Sequence, residues 1–354
     1  MKLTPITGVL PLSDQADSRV LLIAEGFEDR SLAWIRSLPP EILFKRTVIF
    51  KNLPIRKSRL SELVQEVKTR SIEIQIVDFD RFDPVVSEYR IESMLAWTLE
   101  SCIEVVIDIS VMSKLLIMML FVMLRSFPTR VRCIYSEAET YAPTEAEYKT
   151  FCLENSNNNP LPSQGVHDVI RTPLLSSSIM QTSPNLIIAF TSFNEQLIRA
   201  LLSSISPANL LLINGAPPHL KWRRKATQDI HLSIIEEFKV DNQIVNGELE
   251  RQSSTLDYRE SFVLLSDIYR TYSFTRRLVL APTGSKMQTV ACALFKICCP
   301  DVHVEYPTPE SFYVRGYSGE KVREIHQIEF QNFARDVAEI GFEYGLNGDA
   351  VTIS

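Results

Sequence analysis

The sequence predicts an α/β protein built from two tandem, pseudo-repeated, doubly wound domains of Rossmann-like layout with mainly parallel sheets. Three observations predict it. Apolar runs of strand length alternate with helical patterns along the chain, the signature of a parallel sheet rather than a β sandwich. The arrangement of the first half returns in the second. The 354 residues suffice for about two domains, each with its own core.

In the first half, strands are expected near 20–24, 47–51, 73–78, 104–109 and 131–135, with helices near 30–38, 58–70, 87–101 and 113–125. In the second half the strands fall near 186–190, 209–214, 242–246, 277–281 and 302–306. The helices there fall near 194–204, 221–239, 258–272 and 286–298. A short strand is expected at 166–171, echoed at 322–330, and the tail after Phe330 reads as helix followed by a short terminal strand or extension.

The repeat shows in paired details. Arg19–Asp29 and Asn185–Glu195 are each an apolar run, a small or polar turn with a phenylalanine in the same place (Phe27, Phe193), and the start of a helix. Ser113-Lys114 aligns with Ser285-Lys286, and Tyr135, Glu139 and Tyr141 align with Tyr306, Glu310 and Phe312. The implied domains are 1–172, with a mobile segment at 143–165, a linker at 173–184, a second domain at 185–330 and a C-terminal extension at 331–354.

Composition bounds the function classes. Charged residues are 23%, hydrophobic residues 45% and aromatics 9%, ordinary values for a globular protein. The net charge of −6 argues against an extended nucleic-acid surface. The longest apolar run, Leu115–Leu124, is half of the ~20 residues that a membrane span needs, so no membrane is expected. Its uniform apolarity suggests a helix buried under another layer or a second subunit, hence a homodimer. No basic-plus-apolar signal peptide opens the chain. Cys102, Cys133, Cys152, Cys292, Cys298 and Cys299 form no Cys-x-x-Cys pair, so reduced core cysteines of a cytoplasmic protein are expected and no metal site. No motif specifies a cofactor.

In doubly wound sheets ligands bind beyond the carboxyl ends of the strands, where strand order reverses. The turns of interest all follow strands. Foremost is Thr283-Gly-Ser-Lys286, which ends an apolar run and opens a helix: Gly284 permits a tight turn, Thr283 and Ser285 supply hydroxyls, and Lys286 supplies charge beside the positive helix end. The Gly-x-x-x-x-Gly-Lys spacing of a P-loop is missing. Thr283 or Ser285 acting only as a helix cap is the competing reading. Asn214 ends the neighbouring strand, and Ser110, Ser113 and Lys114 are the first-half counterparts. Glu25, Glu28 and Asp108 are the candidate acids for general acid/base work, although each also suits a helix start or a turn. Trp222-Arg-Arg-Lys225 is the compact basic cluster, suited to phosphate contact with base stacking on Trp222, or to a solvated helix start.

The strand–Thr-Gly-Ser-Lys–helix unit at 277–298 resembles the CRISPR-associated Rossmann-fold (CARF) sensor domains, which place a Gly-Thr-Lys-like turn at the strand edge where a dimer binds cyclic oligoadenylate. The resemblance reaches Thr283, Gly284, Ser285 and Lys286, and more faintly Ser113 and Lys114. Such proteins usually carry a separate effector, whereas the second half here reads as another copy and shows no Asp…Glu-x-Lys nuclease signature. The resemblance implies a sensor or adaptor for a nucleotide-like small molecule, with a protein partner in bacterial antiviral defence. Two other readings stay open: an enzyme acting on a nucleotide or nucleic acid, and a non-catalytic scaffold subunit.

Overall fold

The computed structural model describes residues 3–9, 12, 18–54, 58–99, 102–154, 162–238, 244–245, 248–312, 318–319 and 321–346. The chain folds into two compact units: Thr4–Thr144 with Val314–Asp336, and Glu145–Tyr313 with Met1–Leu3 and Val337–Ser354.

The sheet of the first unit runs β1 (Thr7–Gly8), β18 (Val322–Phe330), β6 (Arg130–Ala138), β5 (Glu104–Asp108), β2 (Arg19–Ala24), β3 (Phe44–Leu53) and β4 (Ser71–Asp80), edge to edge. From β6 to β4 all neighbours are parallel. Counted along the chain, these five strands stand in the order 3-2-1-4-5, which defines a doubly wound sheet with its reversal between β2 and β5. β2 and β5 are buried on both faces, which explains their unbroken apolar sequences. On one face Trp34 and Ile35 of α1 (Ala33–Ser37) and Leu63 and Val67 of α2 (Leu60–Lys68) pack with Leu21, Ile23, Ile49 and Val106. Each such fully buried side chain contributes about 1.5–3 kcal/mol.

Asp83 caps α3 (Pro84–Thr98), with proline at the first helical position where a missing N–H costs nothing. Ser113 caps α4 (Lys114–Leu124), its hydroxyl accepting the Leu116 N–H at 3.2 Å. Leu115–Val122 and Leu124 are all buried, and Phe121 meets Phe333 edge-on at 5.8 Å. The apolar run that suggested a homodimer is therefore covered within the chain.

The second unit holds a parallel sheet in the order β13 (Gln252–Ser254), β10 (Asn209–Ala216), β9 (Asn185–Phe190), β14 (Arg277–Ala281) and β15 (His303–Val304). The order is again 3-2-1-4-5, reversing between β9 and β14. Its helices are α5 (Glu145–Glu154), α6 (Gln196–Ile205), α7 (Trp222–Ile230), α8 (Leu232–Glu237), α9 (Tyr258–Tyr272) and α10 (Lys286–Cys298); α11 (Phe333–Glu343) starts in the first unit and ends in the second. Three antiparallel pairs complete it: β7 (Ser163–Gln164) with β17 (Ser311–Phe312), β8 (Asp168–Ile170) with β16 (Tyr306–Thr308), and β11 (Ile244–Val245) with β12 (Glu248–Leu249).

Five expectations are corrected. The units do not divide at 172/185. β7 and β8 pair with strands of the second unit, so that unit begins at Glu145, and Glu145–Glu154 within the expected mobile segment is helical. The segment 173–184 is no free linker: Leu175 is buried and its carbonyl accepts the Val304 N–H at 3.1 Å. The strand at 322–330 leaves the second domain and pairs antiparallel with β6. The third strand of the second sheet is the polar Gln252–Ser254 rather than 242–246, whose described residues, Ile244 and Val245, form a hairpin with β12. The expected helix 221–239 breaks at His231 into α7 and α8. Residues 155–161 and 347–354, the latter the end of the tail, lie outside the described residues.

Among the described residues no helix is long and apolar enough to cross a membrane, and no cluster of three or more His, Cys, Asp or Glu side chains is placed to hold a metal ion. Cys133, Cys292, Cys298 and Cys299 are buried while Cys152 is exposed; burial pushes the Cys298 thiol up to about 12.

Candidate functional site

At the reversal of the second sheet, the turns after β9 and β14 meet. Thr283 is buried, and its hydroxyl bridges the ends of both strands, donating to the Phe190 carbonyl at 2.5 Å and accepting the Phe190 N–H at 2.9 Å. Gly284 packs so closely that a Cβ there would lie 2.8 Å from the Phe190 Cβ and collide with the Gln288 side chain. Ser285 and Gln288 form a reciprocal capping box: the serine hydroxyl accepts the Gln288 N–H at 3.1 Å, and the Gln288 side-chain Oε1 accepts the Ser285 N–H at 2.8 Å. The same serine hydroxyl donates to the Thr255 carbonyl at 2.6 Å. Lys286 is the first residue of α10, half-buried at the positive helix end.

Next to this turn Asn214, fully buried at the end of β10, gathers the hydroxyls of Thr191 (2.6 Å) and Thr227 (2.9 Å) on its side-chain oxygen and donates to the Arg224 carbonyl at 3.0 Å. Beside Thr191, the rings of Phe193, Trp222 and Tyr148 lie 5.8–6.0 Å apart, with the Arg223 guanidinium 4.3 Å from the Phe193 centroid. Trp222 therefore packs on protein aromatics, and the basic cluster is indeed a helix start, with Lys225 paired to Asp229 at 2.7 Å.

The first unit fills the matching edge with charge. Glu28 and Arg30, both buried, form a two-pronged ion pair at 2.8 and 3.1 Å, and Ser318 donates to Glu28 at 2.6 Å. The Arg30 guanidinium stands 5.4 and 5.9 Å from the Tyr141 and Tyr135 centroids, and the two phenol oxygens are 3.0 Å apart. Burial alone would lower the Arg30 pKa, but Glu28 and the two phenols hold it well above its ordinary value; burial and Tyr141 likewise push the Tyr135 phenol well up. Glu137 and His326 add a buried contact at 3.2 Å, with His326 stacked on Tyr135.

The other first-unit candidates hold the turns together. The Glu25 carboxylate accepts the Asn52 N–H at 2.9 Å and the Ser58 hydroxyl at 2.7 Å. Asp108 accepts the Ser110 N–H at 2.9 Å, and Ser110 in turn accepts the Ser136 N–H at 2.8 Å. Ser113 and Lys114 stand at the start of α4 as Ser285 and Lys286 stand at the start of α10. The Ser285-x-x-Gln288 spacing is a capping signature legible in the sequence, and the paired tyrosine pattern pointed at Tyr135 and Tyr141. Ser318, Glu137 and His326 gave no local signal, because strand pairing across a long sequence separation brings them in.

The strand order and the loops gathered at its reversal define a Rossmann-like α/β protein. No family model and no curated protein matches the chain. Among solved structures it is similar to PA1789 from Pseudomonas aeruginosa PAO1, described as functionally unknown, at 10% identity and a TM-score of 0.24, over 94% of this chain and 99% of that one.

Proposed function

We propose that the protein binds a nucleotide or a related phosphorylated signal at the carboxyl edge of its second sheet and acts as a sensor or adaptor. One observation carries the reading: Lys286 opens a 13-residue helix at the β9/β14 reversal, where the helix dipole favours an anion. Arg223, whose guanidinium lies over the Phe193 ring, stands on the same edge and supplies cationic charge. Binding is favoured over catalysis because the candidate acids Glu25, Glu28 and Asp108 are each engaged by donors within the first unit. Bacterial antiviral defence is the setting that the CARF-like turn suggests.

The test is a thermal-shift and calorimetric screen against ATP, NAD, ADP-ribose and linear and cyclic oligonucleotides, with Lys286→Ala alongside. A ligand at a hundred times its dissociation constant stabilises the fold by ~2.7 kcal/mol. The expected result is a shift that Lys286→Ala abolishes, with the ligand recovered intact. Consumed ligand would instead support an enzyme, and no shift with any compound would support the scaffold reading.

A further inference from the structure

The edge strand β4 carries an unusual load for a solvent-facing strand. It is ten residues long, ends the seven-stranded sheet, and contains no proline or lysine between Ser71 and Asp80. Ile72 is 68% exposed and Ile76 is 48% exposed, while Ile74 between them packs partly on the core. The parallel register with β3 places Ile74 and Ile76 opposite Thr47 and Ile49, so the three isoleucines share the face that α2 covers only in part. Edge strands usually blunt their free N–H and C=O groups with charge, proline or short length; this one presents them along an apolar row.

Its charge pattern says what the row fits. The basic residues Lys68 and Arg70 precede the strand, and Asp78 and Asp80 close it. Arg70 is anchored by donating to the Pro39 and Leu38 carbonyls at 2.6 and 2.8 Å, and Asp78 lies 3.8 Å from Lys51, so each sign is fixed at its end. An antiparallel pairing of β4 with itself, with a two-fold axis at Ile74, sets Ile72 against the partner's Ile76, Ile74 against the partner's Ile74, and Arg70 against the partner's Asp78. Apolar meets apolar on one face and unlike charges meet at both ends, which is what an isologous contact requires. A groove of about 380 Å³ between Arg46, Val48, Glu73, Gln75 and Trp97 opens on the opposite face, beside the same edge.

We propose that β4 is the docking strand for a second copy of this chain, joining two seven-stranded sheets edge to edge. The partner is a copy rather than another protein because the complement of the strand's sequence, run antiparallel, is the strand itself.

The experiment is sedimentation velocity on the full chain at micromolar concentration. A dimer is expected for the parent and for Phe274→Lys, which alters an exposed apolar residue of the other unit. Ile72→Lys with Ile76→Lys is expected to give a monomer that keeps the parent's circular dichroism spectrum. Register is read by oxidation in a Cys152→Ser background: Ile74→Cys is expected to crosslink with itself, and Ile72→Cys only when mixed with Ile76→Cys. A monomeric parent, a dimer indifferent to the lysines, or crosslinks in any other register would overturn the proposal.

Discussion

The two sheets share one strand order and treat their reversal points differently. In the first unit the edge is ionic: Glu28 and Arg30 are buried together beneath Tyr135 and Tyr141. In the second the buried network is neutral: Asn214, Thr191, Thr227, Thr283, Ser285 and Gln288 satisfy one another and the backbone. Even the close-packed glycine changes sides. Gly26 follows the first strand and packs on Val111, whereas Gly284 follows the fourth strand and packs on Phe190. One topology can thus be closed by a charge pair or by hydroxyls and amides. A buried charge must keep its counter-charge, while a neutral network can lose one member at smaller cost.

The largest expected effect follows from that contrast. Arg30→Met leaves Glu28 buried without its cation, and urea unfolding should register a loss of about 3–5 kcal/mol. Adding Glu28→Gln should restore part of the loss; no recovery would mean that packing against the tyrosines, not charge, holds the edge.

The second test concerns acid. His231 is fully buried at the α7/α8 junction, its Nδ1 2.8 Å from the Thr227 carbonyl. Burial, opposed by that contact and aided by Arg199, lowers its pKa from 6.5 to about 4. Above pH 6.5 it is neutral folded and unfolded, so its stability contribution is fully present. Between pH 6.5 and about 4 only the unfolded chain takes the proton, and stability should fall by ~1.4 kcal/mol per pH unit, about 3 kcal/mol in all. Unfolding curves across this range should flatten in His231→Gln, and an equal slope in that variant would assign the acid sensitivity to other groups.

The smallest effect compares the matching helix starts. Ser113→Ala removes a cap worth ~1 kcal/mol. Ser285→Ala removes a cap and also the bond to the Thr255 carbonyl, so its loss should exceed that of Ser113→Ala by roughly a further 1 kcal/mol. Equal melting shifts for the two would show that the Thr255 contact adds nothing.

Much of the fold was legible because local pattern carried it. The apolar runs Val20–Ala24, Val105–Ile107, Leu186–Phe190 and Leu278–Ala281 are the central strands, and Ser-Lys marks the helix after the fourth strand in both units. The candidate residues stand at the carboxyl edges: Asp108 ends β5, Asn214 lies in the last three residues of β10, and Thr283 and Ser285 lie in the turn between β14 and α10. What they touch there was not legible. Glu28 reads equally well as an acid or as the partner of a buried arginine, and only the fold decides, by bringing Ser318 to it and Tyr141 to Arg30.

The sequence by itself determined the alternation of elements, the central strands and their order of appearance, because burial on two faces forces an unbroken apolar run and a following cap. Only the tertiary structure decided that Gln252-Ser-Ser254 is a strand and that 322–330 joins the first sheet. Those choices rest on pairing between distant segments. A polar or alternating stretch gains its ladder hydrogen bonds from whichever edge the rest of the fold presents, and no local pattern encodes which edge that is.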